Sequence, residues 1–481
     1  MTEDKVRIID LTKDTDYLLF HDTLMPQRPS SDKEVMPDDL SDEQGEGHGG
    51  SKKGKKASLF GSAMNISNTV MGAGVLALPN VLQQFGVLLG STIIILSCIM
   101  VYISCVLLLK SRNLSHHSKY NSIGEYCFGS VGLWAVKAII IVNNTGLCIA
   151  YLIIFSTVGE NLLQGFVSEC EEGPGAVYCE KWFLKLIAAV LIMPFIFAKS
   201  MAKLQGASVL GVLAACIFCI ITIENYIVSL VNDKHAKEVH ILPFIHDIPR
   251  ALASITAVFL AFTFQFNFFP IYKTLKNPSD NRMKGTVSLG LTLVLVVYLS
   301  VANCGYLTFG EDTTDFLENF SKEKLGIVKF LIVNIAFLIS STLTFPLMFF
   351  GARNEIYGGI KIIRKKLSNR QRPQELEQTE NGLNNKEEDW EMQGWAYKCY
   401  ILILFGIIVL LAIAVPDIEE VFSFVGSTAA NGLSFLLPSL FYLKLASKYG
   451  KLRKVAIVLL SIGSVVGVIG IVSATITAFN E

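Results

Sequence analysis

Long apolar runs separated by short charged clusters dominate the chain from residue 59 onward. Eleven such runs are predicted as helices, near 59–80, 87–109, 133–157, 182–198, 206–231, 250–270, 285–309, 326–350, 396–415, 418–443 and 454–478. A bilayer core takes about 20 apolar residues per helical crossing. A soluble protein of 481 residues could not bury this many runs, so the pattern predicts an all-α integral membrane fold. Two stretches fall outside it. Residues 1–57 are polar, first acidic and then basic (GEGHGGSKKGKK), and are predicted to be a disordered cytoplasmic tail. Residues 351–395 are too charged to span and are expected to form a mobile cytoplasmic loop. Composition agrees: 52% of residues are apolar and 17% charged, against roughly 25% charged in ordinary soluble domains.

Net charge is zero, so the total points to no acidic or basic partner, nucleic acid included. The distribution of Lys and Arg sets an orientation instead. With the N-terminus cytoplasmic, the inner loops hold Lys110, Arg112 and Lys119, then Lys199 and Lys203, then Lys273, Lys276, Arg282 and Lys284. Arg353, Lys361, Arg364, Lys365, Lys366, Arg370 and Arg372 follow, then Lys444, Lys448, Lys451, Arg453 and Lys454. The outer loops are poorer in every case. The N-terminus lacks the apolar core of a signal peptide, so the first span is expected to direct insertion. Asn319 lies in an outer-side sequon and is expected to be glycosylated, while Asn113 lies in a sequon on the inner side. Cys170 and Cys179 share a polar outer loop and could pair in an oxidising compartment, or remain two free thiols.

Solute sites inside membranes use unwound helices, whose free N–H groups and carbonyls bind ions and carboxylates. The first span, FGSAMNISNTVMGAGVLALPN, packs Asn65, Ser67, Asn68 and Thr69 ahead of Gly72, Ala73 and Gly74. That is where a helix would open, although small residues also serve close helix packing. The sixth span offers a counterpart in Thr263, Gln265 and Asn267, in a run expected to end at Pro270. Breaks in spans one and six predict two five-helix repeats of opposite orientation. The eighth span holds Ser340, Ser341 and Thr344 at helical spacing. Their hydroxyls could face a cation near the first span, or bond back to their own helix. Acids are scarce within the spans: Glu160 and Glu224 lie near helix ends, which weakly favours sodium over a proton relay. No motif for an enzyme, zinc site or bound cofactor is present.

The blocks NISNTVMGAGVLALP, LAFTFQFNFFPIYKTLKNPSDNRM, CGYLTFGEDTTDFLENF, TLTFPLMFFGARNEI and VPDIEEVFSFVGSTAANGLSFLLPSLFYLK resemble the amino acid/auxin permease family. They look closest to its sodium-coupled neutral amino acid transporters of the system A and system N type. The resemblance covers roughly residues 57–478. It implies eleven transmembrane helices in a leucine-transporter-like fold. The first repeat would span 58–231, the second 249–443 with the 351–395 loop, and an eleventh helix 453–478. A small neutral amino acid would sit between broken helices one and six, its carboxylate on the N–H groups of Gly72, Ala73 and Gly74. Sodium would be held by carbonyls near Ser67 and Val70 with Thr342 or Thr344 opposite, and Asn68 matches the residue linked to sodium dependence. Many members carry His where this chain has Asn267.

The function expected from these observations is secondary transport of neutral amino acids, driven by sodium, at the plasma membrane. Alternatives are proton-driven export at a vacuolar or lysosomal membrane, to which the acidic dileucine pattern Asp14–Leu19 could route the chain, or a membrane amino acid sensor.

Overall fold

A computed structural model describes residues 57–167, 177–197, 205–232, 239–243, 245, 247–313, 316–317, 319–320, 325–371, 394–415, 417–447 and 450–480. All of them lie in one compact unit, Gly49–Glu481. Among the described residues the architecture is helical, with a single isolated bridge between Ala57 and Leu275 and no sheet. Among the described residues, nine helices are long and apolar enough to cross a membrane.

The first predicted span divides. Helix α1 (Leu59–Val70) is capped by the Ser58 hydroxyl, which accepts from the Gly61 N–H at 3.1 Å. It stops at Val70, and a 3₁₀ turn over Ala73–Ala77 leads into α2 (Leu78–Ser115). Gly86, at φ 75°, is the corner inside α2. A side chain there would meet the Leu242 carbonyl oxygen at 2.4 Å, so the turn requires glycine twice over. Helix α3 (Tyr120–Phe166) begins well before the apolar run near 133 and bends at Gly129, φ 61°. Helices α4 (Lys181–Ile196) and α5 (Gln205–Val231) follow. At 16 residues, α4 is about 24 Å long, short of a bilayer core.

The sixth span also divides, into α6 (Ile248–Ala261) and α7 (Phe268–Thr274) around a 3₁₀ turn at Gln265–Asn267. The run does not end at Pro270. That proline falls in the first turn of α7, where its missing N–H would have had no helical partner. Helix α8 (Asp280–Phe309) and α9 (Ile327–Gln371) come next.

The expected loop at 351–395 is helical over its first half, since α9 runs on to Gln371; residues 372–393 lie outside the described set. Small residues anchor this extension. A methyl on Gly358 would lie 3.1 Å from Lys137 Nζ, and one on Gly359 would lie 3.1 Å from the Trp134 ring. Arg353, read from the sequence as a loop cation, is 2% exposed. It donates to the Ile196 carbonyl oxygen at 2.7 Å, satisfying the C-terminus of α4, and its guanidinium lies over the Phe350 ring.

Helix α10 (Trp395–Ala414) precedes a long rod: α11 (Ile418–Val425), π-helical turns at Gly426–Ala430 and Gly432–Leu436, and α12 (Leu437–Leu445). Helix α13 (Lys451–Asn480) closes the chain. The rod and the two broken spans are the most enclosed elements, whereas α9, α10 and α13 keep apolar faces outward, as lipid contact requires. Aromatic rings of Phe218, Phe309, Phe316, Phe320 and Phe337 cluster between α5, α8 and α9.

Candidate functional site

The break after α1 is local chemistry made visible. The Met71 N–H still reaches the Ser67 carbonyl at 2.7 Å, but the Gly72 N–H turns back to Val70 at 2.7 Å, and Gly72 adopts φ −86°, ψ −137°. Helical bonding therefore stops where the Gly72–Gly74 run predicted. The unwound turn lines a cleft with Met71, Gly72, Ala73 and Val75 on one side. Tyr151 and Ile154 of α3, Gly211 and Ala215 of α5, and Phe337, Ser340 and Ser341 of α9 complete it. No charged residue is among the lining residues.

Tyr151 is the residue that sequence reasoning missed. Its hydroxyl faces the Ala73 N–H and the Thr344 side chain. A methyl on Gly72 would lie 2.2 Å from that oxygen, so the backbone approaches a tyrosine as closely as only glycine permits. Nothing in the sequence around Tyr151 distinguishes it from the other span aromatics. Its role is visible only once α3 is packed beside the break.

Asn68 is 7% exposed, with its amide against α5. A methyl on Gly211 would lie 2.7 Å from Asn68 Oδ1 and 3.8 Å from Ser340 Oγ, so both oxygens border the same position on α5 beside the break. The other expected cation ligands are differently placed. The Ser67 hydroxyl bridges the carbonyls of Ala63 (3.1 Å) and Gly290 (3.2 Å). The Val70 carbonyl already accepts from the Tyr298 hydroxyl at 2.7 Å as well as from Gly72. Ser341 and Thr342 bond back to their own helix, Thr342 to Leu338 at 2.7 Å. Thr344 faces Tyr151 rather than a free carbonyl. Thr69 likewise bonds back, to Asn65 at 2.8 Å.

The helix-six residues gather elsewhere. Thr263, Gln265 and Asn267 do not line the cleft; the first two pack against the π-helical rod. The Thr263 and Ser434 hydroxyls are 3.0 Å apart, and Ser434 donates to Gln265 Oε1 at 3.0 Å. Gln265 Oε1 also accepts from the Phe264 N–H, while its Nε2 is buried without a partner. Gly74 joins the breaks: a methyl there would lie 2.5 Å from Ala261 Cα.

Neither Glu160 nor Glu224 reaches the cleft. They pair with Lys181 at 3.5 Å and Lys329 at 2.7 Å. Asn319, expected to carry a glycan, is 5% exposed among the described residues, which lends that expectation no support. Cys170 lies outside the described residues, and Cys179 is buried and not among the free thiols.

The family pattern described as "Transmembrane amino acid transporter protein" matches residues 55–479. The chain is similar to Amino acid transporter AVT6E of Arabidopsis thaliana, 26% identical over 442 residues, covering 88% of this chain and 84% of that protein. It is similar to Amino acid transporter AVT6B of the same plant, 28% identical over 418 residues, with 84% and 86% covered. It is also similar to Sodium-coupled neutral amino acid symporter 2 of Danio rerio, 27% identical over 417 residues, with 82% and 76% covered.

Proposed function

From the premise that this chain belongs to the transmembrane amino acid transporter family, and so is an integral membrane protein and not an enzyme, we propose that it carries small neutral amino acids in symport with sodium. The observation that carries the reading is the cleft at the α1 break. The substrate carboxylate would be received by the Gly74 N–H and, on displacing their present acceptors at Val70 and the Tyr151 hydroxyl, by the N–H groups of Gly72 and Ala73. Uncharged walls suit a zwitterion without a charged side chain. Asn68 Oδ1, already in the ligand set read from sequence, and Ser340 Oγ, in place of Thr342, are neutral oxygens of the kind a sodium ion takes. Gln265 Nε2, together with Thr263 and Asn267, would act on the substrate only when the rod and α6 separate.

The proposal extends to architecture. Eleven crossings result if α1 with the turn after it counts as the first and α4 as the fourth. The α1 and α6 breaks then occupy matching places in two inverted five-helix repeats, with α13 as the eleventh crossing. The N-terminus would be cytoplasmic and the Asn80–Glu419 end of the bundle outward.

The plant relatives are named as amino acid transporters, with no ion or membrane specified, and no residue in the cleft favours the proton-driven vacuolar reading. One measurement separates the two. The full chain is reconstituted in proteoliposomes, and uptake of radiolabelled alanine is followed with sodium replaced by choline and with pH varied at fixed sodium. Uptake should collapse without sodium and change little with pH. Uptake that follows the pH gradient and ignores sodium would reject sodium coupling.

A further inference from the structure

One side chain touches both helix breaks and belongs to neither broken span. Tyr298 of α8 is fully buried, its ring edge-on to Phe262 at 5.0 Å. Its hydroxyl lies 2.7 Å from the Val70 carbonyl oxygen and 2.9 Å from that of Ala261. Val70 is the last residue of α1 and Ala261 the last of α6. These are end carbonyls that unwinding deprives of helical donors. Val70 has a second donor in the Gly72 N–H, but no backbone N–H outside the helix reaches Ala261 among the described residues. A phenol carries one hydrogen, so one proton serves two helix ends whose backbones touch at Gly74 and Ala261.

We propose that Tyr298 is a positioning residue for transport, setting the spacing of the two breaks and thereby the shape of the substrate cleft at Met71–Ala73. It acts through Val70 and Ala261, not on substrate; it does not line the cleft. The assignment rests on the transport reading above. A scaffold role would need only the ring, which Phe262 already receives. The hydroxyl adds a tie that can pass its proton from one carbonyl to the other, so α1 and α6 can shift against each other without both carbonyls being left bare in an apolar interior. An unpaired buried carbonyl is costly, so the unfavourable arrangement is the one that turns the hydroxyl away from Ala261, since Val70 keeps the Gly72 N–H.

The test is Tyr298→Phe in the full chain, with equilibrium binding of radiolabelled alanine and uptake measured on the same preparation. Loss of the tie should raise the half-saturating alanine concentration about tenfold, equivalent to 1.4 kcal/mol, with a melting temperature near that of wild type. Coupling gives the second readout. Asn68→Ala and Thr263→Ala, one on each side of the tie, should be non-additive in the Tyr298 background and multiply independently in the Tyr298→Phe background. Wild-type half-saturation with a lowered melting temperature would mean a scaffold only and overturn the proposal, as would additivity in both backgrounds. If Tyr298→Phe does not fold, the coupling of Asn68→Ala and Thr263→Ala in the Tyr298 background decides alone, and additivity there overturns the proposal. Wild type that binds alanine without carrying it would reject the transport reading alone, because the binding ratio still decides the role of Tyr298.

Discussion

Asn68 and Ser340 are the polar side chains beside the α1 break that keep no hydrogen bond among the described residues, while Ser67, Thr69, Ser341 and Thr342 all spend their hydroxyl hydrogens on helix carbonyls. Back-bonding of this kind is the ordinary behaviour of Ser and Thr in a helix. The choice between site and scaffold therefore had to be made residue by residue, and the sequence offers no means to make it: Ser340, Ser341, Thr342 and Thr344 read alike. Asn68 was legible because an amide next to a glycine run is unusual in an apolar span. Ser340 gained its place from Gly211 of α5, which packs directly against α9. The prediction at this scale is a split within one helix. Asn68→Ala and Ser340→Ala should each raise half-saturating sodium about tenfold, the equivalent of one ligand worth 1.4 kcal/mol. Thr342→Ala should change it by less than about twofold, since its hydroxyl already serves Leu338. Sodium-dependent uptake curves for the three variants and wild type check this. Equal half-saturation throughout would remove Asn68 and Ser340 from the ion site.

The elements divide into those that apolar pattern announces and those that only packing explains. Both broken spans were visible, since glycine and polar residues interrupt the apolar runs at Gly72 and around Gln265. The continuation of α9 past residue 351 was hidden by its charge, because Gly358, Gly359 and Arg353 are anchored by tertiary partners that no local pattern records. The π-helical rod was equally hidden. Its glycine at 426 reads as a packing residue, but a methyl there would lie 2.1 Å from the Thr256 carbonyl oxygen of α6, and Thr256 in turn donates to the Ser423 carbonyl at 3.0 Å. The wide turn thus begins where the rod is pressed onto backbone, an obstacle that cannot rotate aside as a side chain would. Gly426→Ala should destabilise the fold by about 1–3 kcal/mol, the usual cost of overpacking, seen as a lowered melting temperature in detergent. Gly406→Ala, where a methyl meets nothing within 4 Å, is the matched control and should melt like wild type. Equal melting of the two variants would show that α6 and the rod can separate freely.

At the scale of the whole bundle, α3 works as a ruler. Lys137 near one end donates to Glu355 of α9 at 2.9 Å, and Asn121 donates to the same carboxylate at 2.8 Å. Tyr151 stands at the cleft beside the α1 break. Thr157, farther along, shares a second cavity with Glu419 of the rod, and Glu419 accepts a hydrogen bond from Asn80 of α2. Twenty residues of helix separate Lys137 from Thr157, about 30 Å, so the two polar ties lie at opposite ends of the bundle with the cleft between them. A carrier must open one end at a time, and each tie joins elements that would have to part when its end opens. Lys137 stands near a span end and Glu419 in the acidic run Asp417–Glu420, but no pattern could assign them partners 218 and 339 residues away. The prediction follows from the Asn80–Glu419 end. Asn80→Cys with Glu419→Cys, in a background where the exposed thiol Cys399 is replaced by Ser, should form a disulfide under mild oxidation. The lock should abolish alanine uptake from the locked side and leave alanine binding available from the other side in vesicles of opposite orientation. Reductant should restore uptake to the level of the unoxidised double variant. Uptake that continues undiminished with the disulfide verified by mass spectrometry would mean that α2 and the rod stay together throughout the cycle, and that the passage to the cleft opens elsewhere.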